Sequence, residues 1–384
     1  QKGMQLWQRA RQQHAPLPRQ PRLLPGDHHP AGPSQSRRQK NGGQKWRQAA
    51  RRHSKKVSSA GGSENRISDF EFAISGLGLH PSAAAFSQSM RIHTLDLLFQ
   101  DTPGLIASHL LETGDGLALV ETGPGSTLPA LRAAIRAHGF DEKDVRHVLV
   151  THIHLDHAGA AGWWARQGAR VYCHPNAERH LIDPSRLMAS ARMVYGDAMD
   201  RLWGEMLPAP AEQVTVLQDG EILRLGGAEI TAWDTPGHAR HHHAFVCGDI
   251  CFTGDAAGVR LGGSSYQGVT SAPPQFEPEA YDATLARLLA GEFRQIYLAH
   301  FGVVNDVRAH LEAYRVRIRQ VHERMSAWVA EGRDSETTRR LHQDAEHALA
   351  LSQGVTGELW QSYEKANGTA MCADGIRLCV EKSS

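Results

Sequence analysis

The run Thr-His-Ile-His-Leu-Asp-His at residues 151–157 constrains this chain more than any other stretch. Three histidines and one aspartate fall within six consecutive residues, 152–157. Imidazole and carboxylate groups are common ligands of divalent metals. Four side chains at this spacing cannot share one face of a helix, whereas the end of a strand aims alternate side chains the same way. A strand that runs into a tight loop therefore predicts a site for two adjacent metal ions rather than for one.

The length of 384 residues and a hydrophobic fraction of 41% allow one large domain with extensions, or two smaller domains. The net charge of +1 hides an asymmetry, because residues 1–66 hold about fifteen Lys and Arg against only Asp27 and Glu64. Gln, Arg, Pro, Gly and Ser dominate residues 1–89, which predicts a disordered basic extension. We expect a native start at Met90, because regular structure is predicted directly after it.

The sequence also bears on the compartment of the protein. It has no apolar run long enough to span a bilayer, and its start is not patterned like a signal peptide. Five cysteines without C-x-x-C pairs argue against a disulfide framework and fit a reducing environment. We therefore predict a cytoplasmic protein without membrane association.

From Arg91 onward the apolar pattern predicts alternating strands and helices. Strands are predicted at 92–99, 105–112, 117–121, 145–150, 170–173, 214–217, 222–225, 229–234, 244–247, 250–253 and 295–299. Helices are predicted at 128–138, with Ser126 or Thr127 as the N-cap, and at 158–167, 175–182, 278–289 and most of 304–353, with helical character in 183–211. Two sets of strands, each followed by helices, predict two packed sheets flanked by helices.

Three further residues that could bind metal follow predicted strands. His238 ends a Thr-Pro-Gly-His stretch, Asp255 lies in Gly-Asp-Ala, and His300 lies in Ala-His-Phe-Gly. Loops just past strand ends build sites on a rigid scaffold. A single histidine at such a place usually has a packing role, but all three together behind the first run are hard to attribute to chance.

With this set of motifs the chain resembles the metallo-β-lactamase fold superfamily of metallohydrolases over residues 91–303. The resemblance implies an α/β fold, a four-layer αββα sandwich with C-terminal helices and with metals at one edge between the sheets. We divide the chain into the extension 1–89, a catalytic domain 90–303 and a helical extension 304–384 packed on it. The family pattern implies a first metal on His152, His154 and His238, a second on Asp156, His157 and His300, and Asp255 bridging both.

The ligand chemistry and the resemblance together predict a dinuclear hydrolase. Two divalent metals about 3.5–4 Å apart can share a hydroxide, and a metal lowers the pKa of its bound water to about 7. We expect the bridging hydroxide to attack a small-molecule ester, lactone, thioester or amide, with Asp156 and Asp255 as the catalytic carboxylates. Zinc (Zn2+) is the expected metal, and iron or manganese would also suit the ligands.

Two other functions stay open from the sequence. One is a nucleic-acid-processing metallohydrolase that uses the basic N-terminal segment, and the other is an iron-dependent oxygenase on the same scaffold. We expect a small-molecule substrate rather than a nucleic acid, and a homodimer stays open.

The bridging aspartate is similar to that of glyoxalase II, the quorum-sensing lactonases and related esterase-type hydrolases. Glyoxalase II and persulfide dioxygenases usually continue the third motif as T-P-G-H-T-x-G, whereas residues 235–242 read T-P-G-H-A-R-H-H. This departure weakens a glutathione-thioester interpretation. The stretches 121–126, 183–186 and 254–258 resemble a large bacterial group of hydrolases whose substrates are not fixed by sequence.

Two segments are the expected lids, 186–197 and 260–276, because loops beside a site carry specificity. Within them we predict four contacts for an anionic or aromatic substrate, namely Arg192, Tyr195, Arg260 and Tyr266. The histidines at 241–243 alternate faces if they lie on a strand, so we expect them to support the ligands or lie at the surface.

Overall fold

The computed structural model describes residues 90–383, so the predicted disordered extension over 1–89 lies outside the described residues. The strands are β1 (Ile92–Asp96), β2 (Ala107–Thr113), β3 (Gly116–Val120), β4 (Val145–Leu149), β5 (Arg170–Cys173), β6 (Val214–Val216), β7 (Ile222–Leu225), β8 (Ala228–Asp234), β9 (His243–Cys247), β10 (Ile250–Gly254), β11 (Gln295–Leu298) and β12 (Gly302–Val304). The helices are α1 (Leu128–Ala137), α2 (Leu155–Ala158), α3 (Ala161–Arg166), α4 (Glu178–Ile182), α5 (Ser185–Tyr195), α6 (Met199–Trp203), α7 (Pro278–Ala290), α8 (Val307–Ala330), α9 (Ser335–Ser352), α10 (Gly357–Ala366) and α11 (Thr369–Ser383).

These strands form two six-stranded sheets, in the orders β1-β2-β3-β4-β5-β6 and β12-β11-β10-β9-β8-β7. In the first sheet β3 to β6 are parallel neighbours, and in the second β10 and β11 are parallel. Parallel neighbours end at the same edge of a sheet, where their following loops meet. The segments after β4, β10 and β11 carry six of the seven predicted metal ligands at their edges of the sheets, and His238 follows β8.

A layer of apolar side chains joins the two sheets. Alternate residues of β3 show why, since Ala118 and Val120 point into this layer while Leu117 and Leu119 point into the core on the other face. Leu149 from β4 packs in the same inter-sheet layer as Phe245 from β9. Removing these surfaces from water is the main favourable contribution to holding the sheets face to face.

Helices cover both outer faces. Trp164 of α3 is buried in the core on the outer side of the first sheet. Leu285 of α7, Ile318 of α8 and Ile376 of α11 are buried on the outer side of the second sheet. The result is a four-layer αββα sandwich with C-terminal helices, which confirms the predicted fold class.

Some details differ from the predictions. The predicted helix 158–167 is two helices, and the first begins at Leu155, so that the end of the histidine run is itself helical. Neither predicted N-cap side chain caps α1, because the Ser126 hydroxyl donates to the carbonyl of Leu202 and the Thr127 hydroxyl donates to the carbonyl of Pro124. The short strand β12 and the helices α10 and α11 were not predicted individually.

Two further sequence expectations concern cysteines and membranes. All five cysteines lie in the described part of the chain and are free. No helix within residues 90–383 combines the length and apolar character needed to cross a membrane.

Candidate metal centre

Three histidine side chains converge beyond the ends of β4 and β8. Nε2 of His152 lies 3.0 Å from Nδ1 of His154, and Nε2 of His238 lies 3.2 Å and 2.9 Å from these two atoms. Ligand nitrogens bound to one tetrahedral zinc at 2.0–2.1 Å are about 3.3 Å apart. The three nitrogens therefore have spacings close to those required to hold one divalent ion.

A second group lies beside the first, on α2 and after β11. Asp156 and His157 lie within the single turn of α2, and His300 follows β11. Oδ2 of Asp156 lies 3.7 Å from Nε2 of His157 and 3.4 Å from Nε2 of His300. These three side chains could hold a second ion.

Asp255 lies between the two groups. Its Oδ2 is 3.3 Å from Nε2 of His238, while its Oδ1 is 3.4 Å from Nε2 of His157 and 3.6 Å from Nε2 of His300. The two oxygens of one carboxylate thus face different histidine groups. The preceding Gly254 has a φ of 49°, and a Cβ there would lie 2.5 Å from Oγ1 of Thr151, so only glycine fits this close approach.

Hydrogen bonds fix the tautomers of four of these histidines. Each donates Nδ1–H to an oxygen, which leaves the lone pair of Nε2 pointing into the cluster. The pairs are His238 to the carbonyl of Thr270 (3.1 Å), His300 to the carbonyl of Leu105 (2.9 Å), His157 to Oε1 of Glu121 (3.0 Å) and His152 to Oγ1 of Thr151 (3.0 Å). Converging lone pairs of this kind suit a cation, so the residues fit metal ions.

Glu121 is part of this centre, and the sequence reasoning assigned it no role. Its carboxylate accepts hydrogen bonds from Nδ1 of His157 and from both the backbone N–H and the hydroxyl of Thr151. It is buried and has a φ of 68°, a left-handed conformation that is uncommon outside glycine. The available signal was an acidic residue directly after the apolar strand β3, the same pattern that identified Asp255.

The electrostatics of the centre favour ionised carboxylates. Burial opposes ionisation of Asp156, but the facing His157 and His300 outweigh it and lower the pKa of Asp156 to about 2. Burial likewise opposes ionisation of Asp255, and His157 and His238 hold its pKa well below the usual range. For His157 and His300, burial would lower the pKa, but the carboxylates raise both above the ordinary value. The two carboxylates therefore carry negative charge, which a bound cation would neutralise in place of the imidazole protons.

The three histidines at 241–243 are buried, and only one of them contacts a predicted ligand by a hydrogen bond. Nε2 of His242 accepts the backbone N–H of Asp255 at 3.2 Å, and its Nδ1 lies 2.8 Å from Oγ1 of Thr235. His242 therefore supports Asp255 and has no lone pair left for a metal. The ring of His241 lies 5.6 Å from the ring of His154, between centroids.

A further cluster of possible ligands, His174, Asp234 and His243, is a poor metal site. Nδ1 of His174 accepts the backbone N–H of Asn176 at 2.9 Å, so its proton lies on Nε2. That Nε2–H faces Oδ1 of Asp234 at 3.3 Å. A neutral imidazole in this tautomer offers no lone pair to an ion beside Asp234.

Each of the four predicted substrate contacts has a partner within the protein. Tyr266 is 1% exposed and its hydroxyl donates to Glu346 at 2.8 Å, so it is an interior residue whose hydroxyl is engaged away from the proposed ligands. Arg192 is exposed and pairs with Asp200. Tyr195 and Arg260 are partly exposed; the former reaches Sδ of Met371 at 3.6 Å, and the latter pairs with Asp306 at 2.8 Å.

The predicted lid 260–276 contains a packed part. Residues 266–271 are all buried, and Asn367 and Tyr363 of α10 and its C-terminal end hydrogen-bond to the backbone of this segment. This part of the segment is fixed by the packing and the hydrogen bonds of the interior.

The sequence match now identifies the class of protein. Residues 101–300, which are 200 of the 384 residues, match the family model of the metallo-beta-lactamase superfamily. The chain therefore belongs to this superfamily.

Two curated relatives and one solved structure illustrate the similarity. The chain is 28% identical over 163 residues to metallo-beta-lactamase fold-containing protein ST1585 of Sulfurisphaera tokodaii, covering 41% of this chain and 61% of that protein. It is 30% identical over 190 residues to a hydroxyacylglutathione hydrolase of Methylobacterium sp. (strain 4-46), covering 48% and 60%. The matched segments thus span about 60% of each relative. The metallo-beta-lactamase family protein TTHA1429 of Thermus thermophilus shares the fold, with a TM-score of 0.54 and 20% identity over 77% of this chain and 93% of that chain.

Proposed function

We propose that the protein is a dinuclear metal-dependent hydrolase of a small-molecule ester, lactone, thioester or amide. The observation that carries the proposal is the position of Asp255, whose two carboxylate oxygens face separate histidine groups at 3.3–3.6 Å. A carboxylate in this position suits a bridge between two ions. Mixed nitrogen and oxygen donors favour zinc and also accept iron or manganese.

The proposed ligand sets follow the two groups. His152, His154 and His238 would hold the first ion, Asp156, His157 and His300 would hold the second, and Asp255 would contact both. When bound, two such ions supply Lewis acidity that activates water and polarises a carbonyl oxygen. Such a site needs no serine or cysteine nucleophile.

The protein residues supply orientation and a route for protons. Glu121, Thr270 and the carbonyl of Leu105 fix the imidazole rings, so the donor atoms need little rearrangement. The side chain of Asp156 is 19% exposed, compared with 0% for His157. We assign to Asp156 the relay of a proton to the leaving group: its ionised carboxylate, on the solvent side of the site, would accept the proton that the attacking water gives up and pass it to the leaving group.

The choice of carbonyl substrates draws on the relatives. The name of the Methylobacterium relative describes a hydrolase of an acylglutathione, which is chemically a thioester. The T-P-G-H-A-R motif of this chain favours an acyl donor other than glutathione. Arg260 is retained as a candidate substrate contact, because its backbone N–H donates to the carbonyl of His300 at 2.7 Å and thus places it beside a ligand.

The test combines substrate profiling with metal analysis. We expect the purified protein to contain up to two divalent ions per chain and to hydrolyse at least one thioester, lactone, ester or amide in a panel. His152→Ala and Asp255→Ala should lose both metal and turnover, while the exposed His138→Ala should keep both. Retained turnover in a metal-free variant would refute the proposal.

The same panel separates the other functions. Turnover of a phosphodiester alone, lost on deletion of residues 1–89, would indicate a nucleic-acid enzyme. Oxygen consumption by the iron-loaded protein, without hydrolysis, would indicate an oxygenase.

A further inference from the structure

Thr270 connects two of the proposed metal ligands. Its carbonyl accepts Nδ1–H of His238 at 3.1 Å, which sets the tautomer of that ring. Its hydroxyl lies 2.9 Å from the carbonyl oxygen of Asp255, to which it can donate. A displacement of Thr270 would therefore change the orientation of one ligand and the backbone of the other.

Two buried tyrosines hold Thr270 in place. Tyr281 of α7 donates its hydroxyl proton to the carbonyl of Asp255 at 2.8 Å and lies 2.6 Å from the hydroxyl of Thr270. Tyr314 of α8 accepts the backbone N–H of Thr270 at 3.2 Å and lies 3.2 Å from its hydroxyl. All three side chains are at most 2% exposed, so water cannot replace these bonds.

The donors and acceptors of this cluster balance. The 2.6 Å contact needs one proton, so one of the Tyr281 and Thr270 hydroxyls donates to the other, which in turn donates to the carbonyl of Asp255, and the remaining hydroxyl proton is that of Tyr314. Tyr314 can donate this proton in a hydrogen bond to the hydroxyl oxygen of Thr270, 3.2 Å away, or to that of Tyr281, 3.3 Å away. Tyr314 therefore accepts from the backbone of Thr270 and donates into the hydroxyl pair, and without it the backbone N–H of Thr270 loses this buried partner.

Two glycines make room for the two tyrosines. A Cβ at Gly237, the residue before His238, would lie 2.6 Å from the ring of Tyr281. A Cβ at Gly258 would lie 2.3 Å from the ring of Tyr314. Both glycines also have positive φ angles, 130° and 76°. The close approach of the rings is thus built into the loops that carry the ligands.

We infer that Tyr314 is a positioning residue of the metal centre, acting through Tyr281 and Thr270 on His238 and Asp255. The inference rests on the proposed function in that it takes these two residues as ligands. It assigns a role in the centre to α8, a helix outside the family match at residues 101–300. The C-terminal helices are then part of the metal site rather than an appendage.

The test is the metal affinity of Tyr314→Phe, which removes the hydroxyl and keeps the ring. Metal-free protein is titrated with Zn2+ against a chromophoric chelator, and thermal unfolding is recorded in parallel. We expect affinity to fall about 10–100-fold at the site that includes His238, with the second site less affected. Tyr281→Phe should act in the same direction, and the double variant should lose little more than either single variant, because the two hydroxyls act through one residue.

Tyr363→Phe is the matched control. Tyr363 lies in α10, and its buried hydroxyl contacts the backbone of Leu261 and Tyr266 in the segment that leads to Thr270. It has no bond to a proposed ligand. It should lower thermal stability without changing metal affinity. Unchanged affinity in Tyr314→Phe, or an equal loss in Tyr363→Phe, would overturn the inference. Metal binding without hydrolysis in the wild type would refute the proposed function and leave this inference standing.

Discussion

Glu121 and His157 form a buried pair in which Oε1 accepts Nδ1–H at 3.0 Å. Glu121 also accepts both the backbone N–H and the hydroxyl of Thr151, the first residue of the histidine run. One carboxylate therefore orients a proposed ligand of the second ion and the start of the segment that carries the ligands of the first. Loss of an outer hydrogen-bond partner of this kind typically costs about 10–100-fold in metal affinity or activity.

Glu121→Gln should weaken metal binding about 10–100-fold while the protein stays folded. An amide oxygen in the place of Oε1 can still accept from His157 and from the Thr151 hydroxyl, but the amide nitrogen then faces the backbone N–H of Thr151 and one buried bond is lost. Competition with a chelator measures the affinity. Glu112→Gln is the control, because Glu112 makes a similar 2.8 Å contact to His93 away from the centre. An equal effect of the two changes would contradict the assigned role.

Asp255→Ala and Asp156→Ala should differ in metal stoichiometry. Asp255 faces both histidine groups, whereas Asp156 lies beside His157 and His300 alone. We expect Asp255→Ala to weaken both sites, and Asp156→Ala to retain one ion per chain, in elemental analysis after gel filtration. Retention of two tightly bound ions in Asp255→Ala would exclude a bridging role for that carboxylate.

The sequence predicted the sandwich and the seven converging side chains because both depend on local patterns. Alternating apolar residues define the strands, and polar residues just past strand ends define the site edge. The role of Tyr266 could not be predicted, because its partner Glu346 lies 80 residues later in the chain. A tyrosine in a glycine-rich loop has the same local pattern whether it meets a substrate or a buried carboxylate.

Contacts with distant parts of the chain also explain why the roles of Ser126 and Tyr314 could not be predicted from the sequence. A serine before a helix predicts an N-cap, but the carbonyl of Leu202 competes for its hydroxyl at 2.6 Å. Tyr314 has the spacing of an ordinary core residue of an amphipathic helix. Its contact with Thr270 exists only because α8 packs over the segment that follows β10.

Mildly acidic pH should destabilise the protein through histidines outside the metal centre. Burial lowers the pKa of His109, His310 and His342 to about 4, whereas an unfolded chain has a histidine pKa near 6.5. Between these two pKa values the unfolded state binds more protons than the folded state. The contribution of these histidines to the free energy of unfolding is therefore fully present above pH 6.5 and is lost as the pH drops toward 4. Each group contributes about 2 kcal/mol to this loss at pH 5.

The check is urea unfolding at pH 7.5 and pH 5 with chelator present, for wild type and His342→Gln. The charged groups that act on His342 are those of Glu346, Arg324 and Arg317. The replacement removes the imidazole and leaves these three side chains in place. The loss of free energy of unfolding between pH 7.5 and pH 5 should be smaller in the variant than in the wild type. Because the metal ligands titrate equally in both proteins, their contributions cancel, and an identical difference would rule out a contribution from His342.

Glu346→Ala should be among the most destabilising single changes in the C-terminal helices. Burial opposes ionisation of Glu346, yet Arg317 and His342 outweigh it and lower its pKa to about 2. Its carboxylate accepts from Arg317 at 2.5 Å, Arg324 at 2.6 Å and the Tyr266 hydroxyl at 2.8 Å. Removing it leaves the buried guanidinium of Arg317 and the partly exposed one of Arg324 without this acceptor, which costs about 3–5 kcal/mol.

Denaturant unfolding of Glu346→Ala measures this cost, and Tyr266→Phe provides the smaller step. Loss of the tyrosine hydroxyl removes one hydrogen bond to the carboxylate and leaves both arginine pairs, so about 1–2 kcal/mol is expected. Because the carboxylate joins α8 and α9 to the segment that contains Thr270, Glu346→Ala should also weaken metal binding more than Tyr266→Phe does. Normal stability in Glu346→Ala would mean that the arginines find other acceptors and that this cluster does not hold the helices against the site.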